Sequence, residues 1–512
     1  MKISALVPAQ ALLSLANVST INTTSGQLIG NEADGVRAFT GVRFAQPPVG
    51  ELRWEPPVPY TSSDIVNATT PGPSCLQMFK YATAKHDMRL FNTPPPPGGE
   101  NEDCLFLNVW APTGGKKKKP VVVWIHGGSD AFGSATLAEY DGTSMAKNQD
   151  IIVVSMNYRT NVFGFPSAPD LAPDKNNLGQ LDQELAFSWV QDNIEHFEGD
   201  KHKVTIMGQS AGARAVSDAV SRHTEANPPF RAAIMLSGAV TSTVPTLHFA
   251  AFNNFANASG CTQAPGAARL DCLRQIPAAT IHNYTNGPLS GTFDPVVDNM
   301  TRYDDDLTRI RTNNTARVPI LIGSLQDDGT VFTSGVKNLT TALPDLFGAN
   351  APSVATVRAL YPGLNDSQVI AAAYRDKNFR CPAKLWSEAF VGSGIEYVYR
   401  YTYGASFADD APYPNLGAWH TSELPELFGT YNASTATADE ETLSNSFQTA
   451  FANFVKNPKV PPAANWPEYG SGTVAKIAYN GNVDLDNFIQ PVASGTLDGP
   501  CAVWDKLLDF RP

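Results

Sequence analysis

A serine flanked by glycines is the feature of this sequence best suited to chemistry. Residues 208–212 read Gly-Gln-Ser-Ala-Gly, after an apolar run at 204–207 and before a helix-forming run at 213–216. This G-x-S-x-G pattern predicts a strand, a strained sharp turn and a helix, with Ser210 at the tip of the turn. The free N–H groups at the start of the helix would face an oxyanion forming beside the hydroxyl. The pattern therefore predicts a nucleophilic serine, the alternative being an ordinary turn rich in glycine and serine.

A carboxylate and a histidine beyond Ser210 would complete such a site. In enzymes with this serine turn, the chain order is Ser, then Asp or Glu, then His. The apolar run at 318–323 leads into a loop with Asp327 and Asp328, and position alone does not distinguish the two. Four of the eight histidines follow Ser210, and only His420 also follows this pair. His420 is therefore the predicted general base, the alternative being an ordinary loop histidine.

A glycine-rich loop follows the buried-strand pattern at 120–125. Residues 126–130 read His-Gly-Gly-Ser-Asp. Glycines let the backbone approach a substrate carbonyl and turn N–H groups toward its oxygen. These donors would join the N–H of Ala211, the residue after the nucleophile. The loop thus predicts an oxyanion hole, the alternative being a plain glycine turn.

Longer stretches of the sequence are similar to the markers of one family. They lie at 41–50 and 102–108 near the N-terminus, at 154–159 and 181–194 in the centre, and at 419–425 around His420. On these residues the chain resembles the type B carboxylesterases, which include cholinesterases, fungal lipases of that lineage and secreted fungal esterases. The resemblance runs almost end to end and is strongest to the secreted fungal carboxylesterases.

The resemblance implies a fold, an activity and a set of site residues. The fold is α/β: an α/β-hydrolase with a large, mostly parallel sheet, flanking helices and long loop insertions. The implied catalytic residues are Ser210 as nucleophile, His420 as base and Asp328, rather than Asp327, as the acid that orients the base. The implied oxyanion donors are Gly128, Ser129 and Ala211, and the implied supporting residues are Ser237, Glu423 and Gln209.

The sequence departs from the family pattern in two places. The family usually has three consecutive glycines and then an aromatic residue in the oxyanion loop, where this chain has Ser129 and Asp130. A carboxylate at Asp130 would disfavour an oxyanion unless it points away or pairs with a cation. Many relatives carry glutamate where this chain has Gln209, and the loop between Cys75 and Cys104 lacks the tryptophan that cholinesterases use to bind choline. We therefore do not expect a choline ester as substrate.

Composition is consistent with one large enzyme domain. The 512 residues include 42% hydrophobic residues, enough for a sizeable core, and the markers spread from 41 to 420 without a linker-like break. We predict a single domain over 17–512. The net charge of −12 argues against nucleic acid as a partner, and no 18-residue apolar run predicts a membrane span.

The N-terminus and the cysteines predict export. Lys2, the apolar run at 3–15 and the Ser-Leu-Ala site at 14–16 are typical of a secretory signal peptide over 1–16. Glycosylation sequons also favour secretion, among them those at Asn22, Asn67, Asn257, Asn283, Asn299, Asn313, Asn338, Asn365 and Asn432. Six cysteines allow 15 pairings. The family resemblance implies the pairs Cys75–Cys104, Cys261–Cys272 and Cys381–Cys501.

These observations together predict a secreted serine carboxylesterase that acts on a small-molecule ester through an acyl-enzyme. We expect no metal and no cofactor, since the sequence has neither a metal-ligand spacing of Cys and His nor a phosphate-binding glycine loop. The mixed polar and apolar segment between Cys75 and Cys104 favours water-soluble esters. The alternatives are a lipase or sterol-ester hydrolase of the same lineage and a non-catalytic, adhesion-type relative. The oligomeric state is left open.

Overall fold

The computed structural model describes residues 17–115, 118–241, 248–348, 350–407, 412–479 and 488–508. The predicted signal peptide at 1–16 lies outside these residues. The strands are β1 (Asn17–Thr23), β2 (Gly26–Ala33), β3 (Val36–Arg43), β4 (Ile65–Asn67), β5 (Phe106–Pro112), β6 (Lys119–Ile125), β7 (Ile152–Met156), β8 (Gly199–Gln209), β9 (Ala232–Leu236), β10 (Ile320–Leu325), β11 (Val398–Tyr403), β12 (Thr473–Ile477) and β13 (Ile489–Ala493).

Helices occupy most of the chain between the central strands. The α-helices are α1 (Ala84–Leu90), α2 (Thr143–Gln149), α3 (Asn161–Gly164), α4 (Leu178–Asn193), α5 (Ala211–Arg222), α6 (Ala250–Ala258), α7 (Ala267–Arg274), α8 (Ala278–Thr285), α9 (Asp306–Arg311), α10 (Leu339–Phe347), α11 (Val354–Leu360), α12 (Asp366–Arg375), α13 (Cys381–Gly392), α14 (Leu424–Phe428), α15 (Ala438–Lys456), α16 (Gly495–Asp498) and α17 (Cys501–Leu508). A π-helical segment, Asp376–Arg380, joins α12 to α13. None of the helices in the described ranges is long and apolar enough to cross a bilayer.

One mixed sheet organises the molecule. Its strand order in the described chain is β1-β2-β3-β5-β7-β6-β8-β9-β10-β11-β12-β13, with β4 beside β2. Adjacent strands from β7 to β12 run parallel, and the antiparallel pairs lie at the two ends of the sheet. The prediction of an α/β fold with a mostly parallel central sheet is confirmed.

The central strands are buried on both faces, which explains their nearly continuous apolar sequences. On β6, Val121, Val123 and Ile125 face one hydrophobic cluster, whereas Val122 and Trp124 face another. The first cluster includes residues of α4, α5, α13 and α17, and the second includes residues of α2 and α15. Because alternate side chains point to opposite faces, each central strand contributes to both halves of the core.

Parallel strands place their carboxyl ends at one edge of the sheet, where ligand sites form in α/β proteins. The loops that follow β6, β8, β9 and β10 begin at this edge and contain the oxyanion loop, Ser210, Ser237 and Asp328. Topology therefore brings together residues that are up to two hundred positions apart in the chain.

Three disulfides fasten peripheral segments. They join Cys75 to Cys104, Cys261 to Cys272 and Cys381 to Cys501, with sequence separations of 29, 11 and 120. These pairs are the ones that the family resemblance implies. The last bridge connects the first residues of α13 and α17, so it holds the final described helix against the core. It also accounts for the one group of possible metal ligands in the described ranges, which consists of its two cysteines and Asp505.

Candidate active site

Ser210 lies in a strained turn between β8 and α5. Its backbone has φ 57° and ψ −120°, a region that residues with a side chain seldom adopt. The turn requires glycine on both sides: a Cβ on Gly208 would lie 2.3 Å from the carbonyl oxygen of Gly212, and one on Gly212 would lie 2.1 Å from that of Ile125. The predicted strand, turn and helix are therefore present. The serine hydroxyl lines a cavity at the carboxyl edge of the sheet.

Asp328 and His420 form a buried pair. Nδ1 of His420 lies 2.8 Å from Oδ1 of Asp328, and the two side chains are almost completely buried. The other carboxylate oxygen of Asp328 accepts hydrogen bonds from the Ser237 hydroxyl at 2.9 Å and from the Leu325 N–H at 2.7 Å. These bonds fix the carboxylate, which in turn fixes the plane of the imidazole ring and leaves its Nε2 toward the cavity.

Asp327 makes different contacts from those of Asp328. Its carboxylate accepts the N–H of Ala418 at 3.0 Å, and its own N–H donates to the carbonyl oxygen of Ala418, also at 3.0 Å. A Cβ on Gly417 would lie only 2.2 Å from the Asp327 carboxylate, so the loop passes close to the acid. Asp327 thus anchors the loop that carries His420, while Asp328 holds the ring itself.

The base nitrogen of His420 contacts Gln209 rather than the nucleophile. Nε2 of the ring lies 3.2 Å from Nε2 of the buried Gln209 amide. The hydroxyl of Ser210 makes no hydrogen bond to His420 within the described part of the chain, although both residues line the same cavity. In ligand-free enzymes, hydrogen bonds between catalytic groups are often formed only when substrate binds.

Aromatic rings enclose the imidazole. Phe379 stacks on His420 with ring centroids 4.7 Å apart, and Phe332 meets the ring edge-on at 4.9 Å. Phe379 belongs to the π-helical segment, in which the extra residue per turn changes the direction of the side chains. These contacts remove water from around the base, so its hydrogen bond to Asp328 acts in a medium of low polarity.

The oxyanion loop has the backbone geometry that free N–H donors require. Gly128, Ser129 and Asp130 all have positive φ, at 109°, 55° and 57°. The N–H groups of Gly128 and Ser129 donate to no acceptor among the described residues, while Ala211 begins α5 and has one of the unpaired N–H groups of a helix start. Gly128, Ser129 and Ser210 line one cavity. All three predicted donors are therefore beside the serine.

Buried polar groups hold this loop in place. Asn161 donates its backbone N–H to the carbonyl oxygen of Asp130 at 2.7 Å and its side-chain amide to that of Ala131 at 3.2 Å. The Gln77 side chain accepts the N–H of Gly133 at 2.8 Å. His126 stacks on a tyrosine ring, and burial lowers its pKa to about 4, so this imidazole is neutral at ordinary pH.

The Asp130 carboxylate faces away from the serine. It lines none of the cavities around Ser210, and its Oδ2 lies 3.4 Å from the Arg214 guanidinium. Burial raises the pKa of this carboxyl to about 6, although the charges of Arg214 and Arg302 oppose the shift. The sequence leaves open whether this carboxylate lies beside the oxyanion hole or points away and pairs with a cation. The structure has the second arrangement.

Glu423 is a second carboxyl group close to the pair. It is fully buried, and neither of its carboxylate oxygens has a hydrogen-bond partner among the described residues. Burial, and next the neighbouring charge of Asp328, raise the pKa of Glu423 well above its ordinary value. Burial and the nearby charge thus favour the uncharged form of Glu423, and Asp328 is the carboxylate that faces the histidine.

Three adjoining cavities lie at the site, and Ser210 lines two of them. The reaction cavity, lined by Ser210, His420 and the oxyanion loop, has a volume of about 20 Å³, room for roughly one water. It shares Thr93 and Thr421 with an outer groove of about 710 Å³. The outer groove is lined in part by α1, from the segment between Cys75 and Cys104.

The third cavity, here called the basic chamber, lies beyond the nucleophile. It has a volume of about 350 Å³ and shares Ser129, Ser210 and Phe332 with the reaction cavity. His420 does not line it. An ester bound at Ser210 therefore has two separate spaces for its two halves.

Several residues that line the site are not among those predicted from the sequence. The sequence contains a signal for Phe332 and Arg214. Each lies four residues after a predicted catalytic residue, and in a helical turn that spacing brings side chains together. Lys377 and Phe379 belong to the π-helical segment, which no sequence pattern at 376–380 indicates.

Comparisons with known proteins identify the relatives of this chain. A model of the carboxylesterase family matches residues 17–349 and 364–495. The chain is 32% identical to secreted lipase 1 of Botryotinia fuckeliana, over 92% of this chain and 90% of that protein. It is 31% identical to chlorogenic acid esterase of Aspergillus niger, over 94% and 93%. Among solved structures, EstA of Aspergillus niger superposes with a TM-score of 0.78 at 26% identity, over 96% of this chain and 98% of that one. A structure of PNB esterase gives 0.76 at 28% identity, over 96% and 99%. These matches confirm the predicted fold class.

Proposed function

Because the chain belongs to the carboxylesterase family and is a carboxylic ester hydrolase, we propose that it cleaves esters through an acyl-enzyme on Ser210. One observation carries the proposal. The buried Asp328–His420 pair, at 2.8 Å, opens onto the cavity that also contains the strained serine and the unpaired N–H groups of Gly128 and Ser129. Base, nucleophile and oxyanion donors thus line one and the same cavity.

The reaction begins with attack by the serine oxygen on the ester carbonyl. His420 takes the hydroxyl proton at Nε2, while Asp328 holds the other ring nitrogen and stabilises the imidazolium. The carbonyl oxygen becomes an oxyanion that accepts hydrogen bonds from Gly128, Ser129 and Ala211. The imidazolium then gives its proton to the leaving alcohol oxygen as the C–O bond breaks. Water repeats the sequence on the acyl-enzyme and releases the acid.

Gln209 must release the base before this sequence starts. Its amide occupies Nε2 of His420 at 3.2 Å, the position that the Ser210 hydroxyl needs. We expect this exchange when the oxyanion donors hold a substrate carbonyl. The Ser210 hydroxyl then bonds to Nε2 of His420, because the ring takes the hydroxyl proton only as the serine attacks the carbonyl.

The substrates that we propose are small, water-soluble carboxylic esters. The outer groove is lined by Lys85 and Arg89 of α1 beside Met88 and Leu90, so it lacks the continuous apolar face of an interfacial lid. The relatives include both a chlorogenic acid esterase and secreted lipase 1, so a lipase or sterol-ester hydrolase is the alternative within the same family. The non-catalytic alternative is not retained, because the chain is an ester hydrolase.

We also propose that the protein is exported and forms one domain over 17–512. Three disulfides and a relative named as a secreted lipase support export. The predicted signal peptide over 1–16 and the glycosylation sequons are consistent with the same route.

Steady-state kinetics test the proposal. We expect 4-nitrophenyl butyrate to be hydrolysed by the wild-type protein, and Ser210→Ala or His420→Ala to reduce kcat by at least about 10³-fold with folding intact. Retention of most of the activity in folded Ser210→Ala would refute the mechanism. A chain-length series up to insoluble esters separates the two substrate classes, since only a lipase gains activity sharply above the solubility limit.

A further inference from the structure

The basic chamber contains a lysine without a carboxylate partner. Lys377 is half-buried on the π-helical segment, and its one hydrogen bond, at 3.5 Å, is to the neighbouring Asn378 side chain. Among the described residues, no Asp or Glu lies within ion-pair distance of its ammonium group. The adjacent Asp376 pairs with Arg375 and Arg380 instead. Desolvation of an unpaired ammonium is unfavourable, and its burial lowers the pKa of Lys377.

Two guanidinium groups line the same chamber. Arg214 lies in the first turn of α5, four residues after Ser210, and its side chain is 40% exposed. Arg302 is nearly buried, with its Nε 3.9 Å from the Asp218 carboxylate. Asp130 and Asp218 are directed at these two arginines but do not line the chamber themselves. The two buried carboxylates hold the arginines in place, and the donors remain on the chamber wall.

One carboxylate, Asp294, lines the chamber among the described residues. Asp294 is solvent-exposed, so water screens its charge, while Lys377 and Arg302 are more buried. The lining therefore presents three cations and one screened anion. Ammonium and guanidinium groups in such a cavity bind an anion through charge-assisted hydrogen bonds, which are stronger where bulk water is excluded.

The chamber lies on the acyl side of the ester. The imidazolium of His420 must reach the leaving oxygen, so the alcohol half lies in the reaction cavity, which His420 lines, and extends into the adjoining outer groove. The chamber shares Ser210 and Ser129 with the reaction cavity but not His420. The half of the substrate that stays bonded to the serine, the acyl group, is thus the half that extends toward Lys377.

We infer that Lys377, with Arg214 and Arg302, forms a subsite for a carboxylate at the far end of the acyl group. This inference rests on the proposed acyl-enzyme at Ser210 and defines a substrate class for it: monoesters of dicarboxylic acids and related acidic acyl esters. The covalent steps are those of ordinary ester hydrolysis, and the distal carboxylate takes no part in bond breaking.

A matched pair of substrates tests the subsite. Monoethyl adipate has a terminal carboxylate on its acyl chain, and ethyl 5-carbamoylpentanoate replaces that carboxylate by a neutral amide of similar shape. We expect kcat/KM for the acid to exceed that for the amide by about tenfold at low salt, and this ratio to fall as sodium chloride is raised to ~0.5 M. Products are followed by liquid chromatography, and monoethyl pimelate and suberate define the best length.

Variants assign the preference to the chamber. Lys377→Gln should reduce the acid-to-amide ratio to about two or less, Lys377→Arg should retain most of it, and Lys459→Gln, at an exposed turn, should leave it unchanged. Circular dichroism and thermal melting establish that each variant is folded.

Three results would overturn the inference: a wild-type ratio near one, a ratio that Lys377→Gln does not change, or a preference found only when the carboxylate is on the alcohol half, as in 4-carboxybutyl acetate. In each case, loss of neutral-ester hydrolysis in Ser210→Ala would leave the proposed function intact.

Discussion

Replacing Asp130 by asparagine should stabilise the protein in a strongly pH-dependent way. Asp130 is 5% exposed, and it lies in the oxyanion loop with Arg214 3.4 Å away. Its burial is only partly offset by nearby arginines, so its pKa is raised from the ordinary value of 3.8 to about 6. Asparagine has the same shape without the charge, and the backbone carbonyl that accepts the Asn161 N–H is retained.

The sign and size follow from the two pKa values. The pKa of Asp130 is higher in the folded than in the unfolded protein. Its contribution to stability is therefore fully present below pH 3.8 and is lost as pH rises through about 6. Each tenfold change in a protonation equilibrium is worth ~1.4 kcal/mol, so the loss is about 3 kcal/mol once the carboxyl is charged. The asparagine side chain does not titrate, so the free energy of unfolding of Asp130→Asn, relative to wild type, should increase by most of that amount between about pH 4 and pH 7.5.

Guanidinium unfolding at a series of pH values, under conditions where refolding recovers activity, measures this difference. Asp345→Asn, at an exposed site on α10, is the matched control and should show little change with pH. A difference between wild type and Asp130→Asn that stays constant across this pH range would refute the reasoning. It would mean that the Arg214 pair fully compensates the buried charge.

Three further substitutions have defined outcomes. Ser237→Ala removes one of the two donors to Oδ2 of Asp328 and should lower kcat about tenfold with little change in KM, as measured with 4-nitrophenyl butyrate. Gln209→Glu places a carboxylate beside the reaction cavity and should raise kcat/KM for acetylcholine relative to neutral 3,3-dimethylbutyl acetate by about tenfold; an unchanged ratio would place this charge too far from the alcohol site. Replacing Cys381 and Cys501 by serine opens a link across 120 residues and should cost about 2–4 kcal/mol of stability, seen as earlier unfolding under non-reducing conditions.

The sequence is sufficient to predict the elements that carry the site, because local patterns determine them. Glycines 208 and 212 are needed by close backbone contacts, and the apolar runs before Ser210 and Asp328 are strands buried on both faces. Chain order isolates His420. The choice of Asp328 over Asp327 needed the family resemblance, since both acids are bonded at the strand end and only the three-dimensional path of the 417–420 loop separates their roles.

Other features depend on contacts between distant segments, which no local pattern contains. The direction of the Asp130 side chain is set by Arg214 and by the cluster around Arg302. The amide of Gln209 occupies the base nitrogen because the loop of His420 brings the ring to it. The basic chamber exists because a π-helical segment turns Lys377 and Phe379 toward the serine, and residues 376–380 show no sign of that geometry in their sequence.

Covalent labelling of the nucleophile tests the central claim most directly. Trypsin cuts after Lys203 and Arg214, and the resulting peptide 204–214 contains Ser210 as its single serine. After reaction with a fluorophosphonate, we predict one adduct per molecule on this peptide, complete loss of esterase activity, and no labelling of folded Ser210→Ala. An adduct on another residue that accompanies the loss of activity, or a fully labelled Ser210 in an enzyme that still hydrolyses esters, would contradict the account.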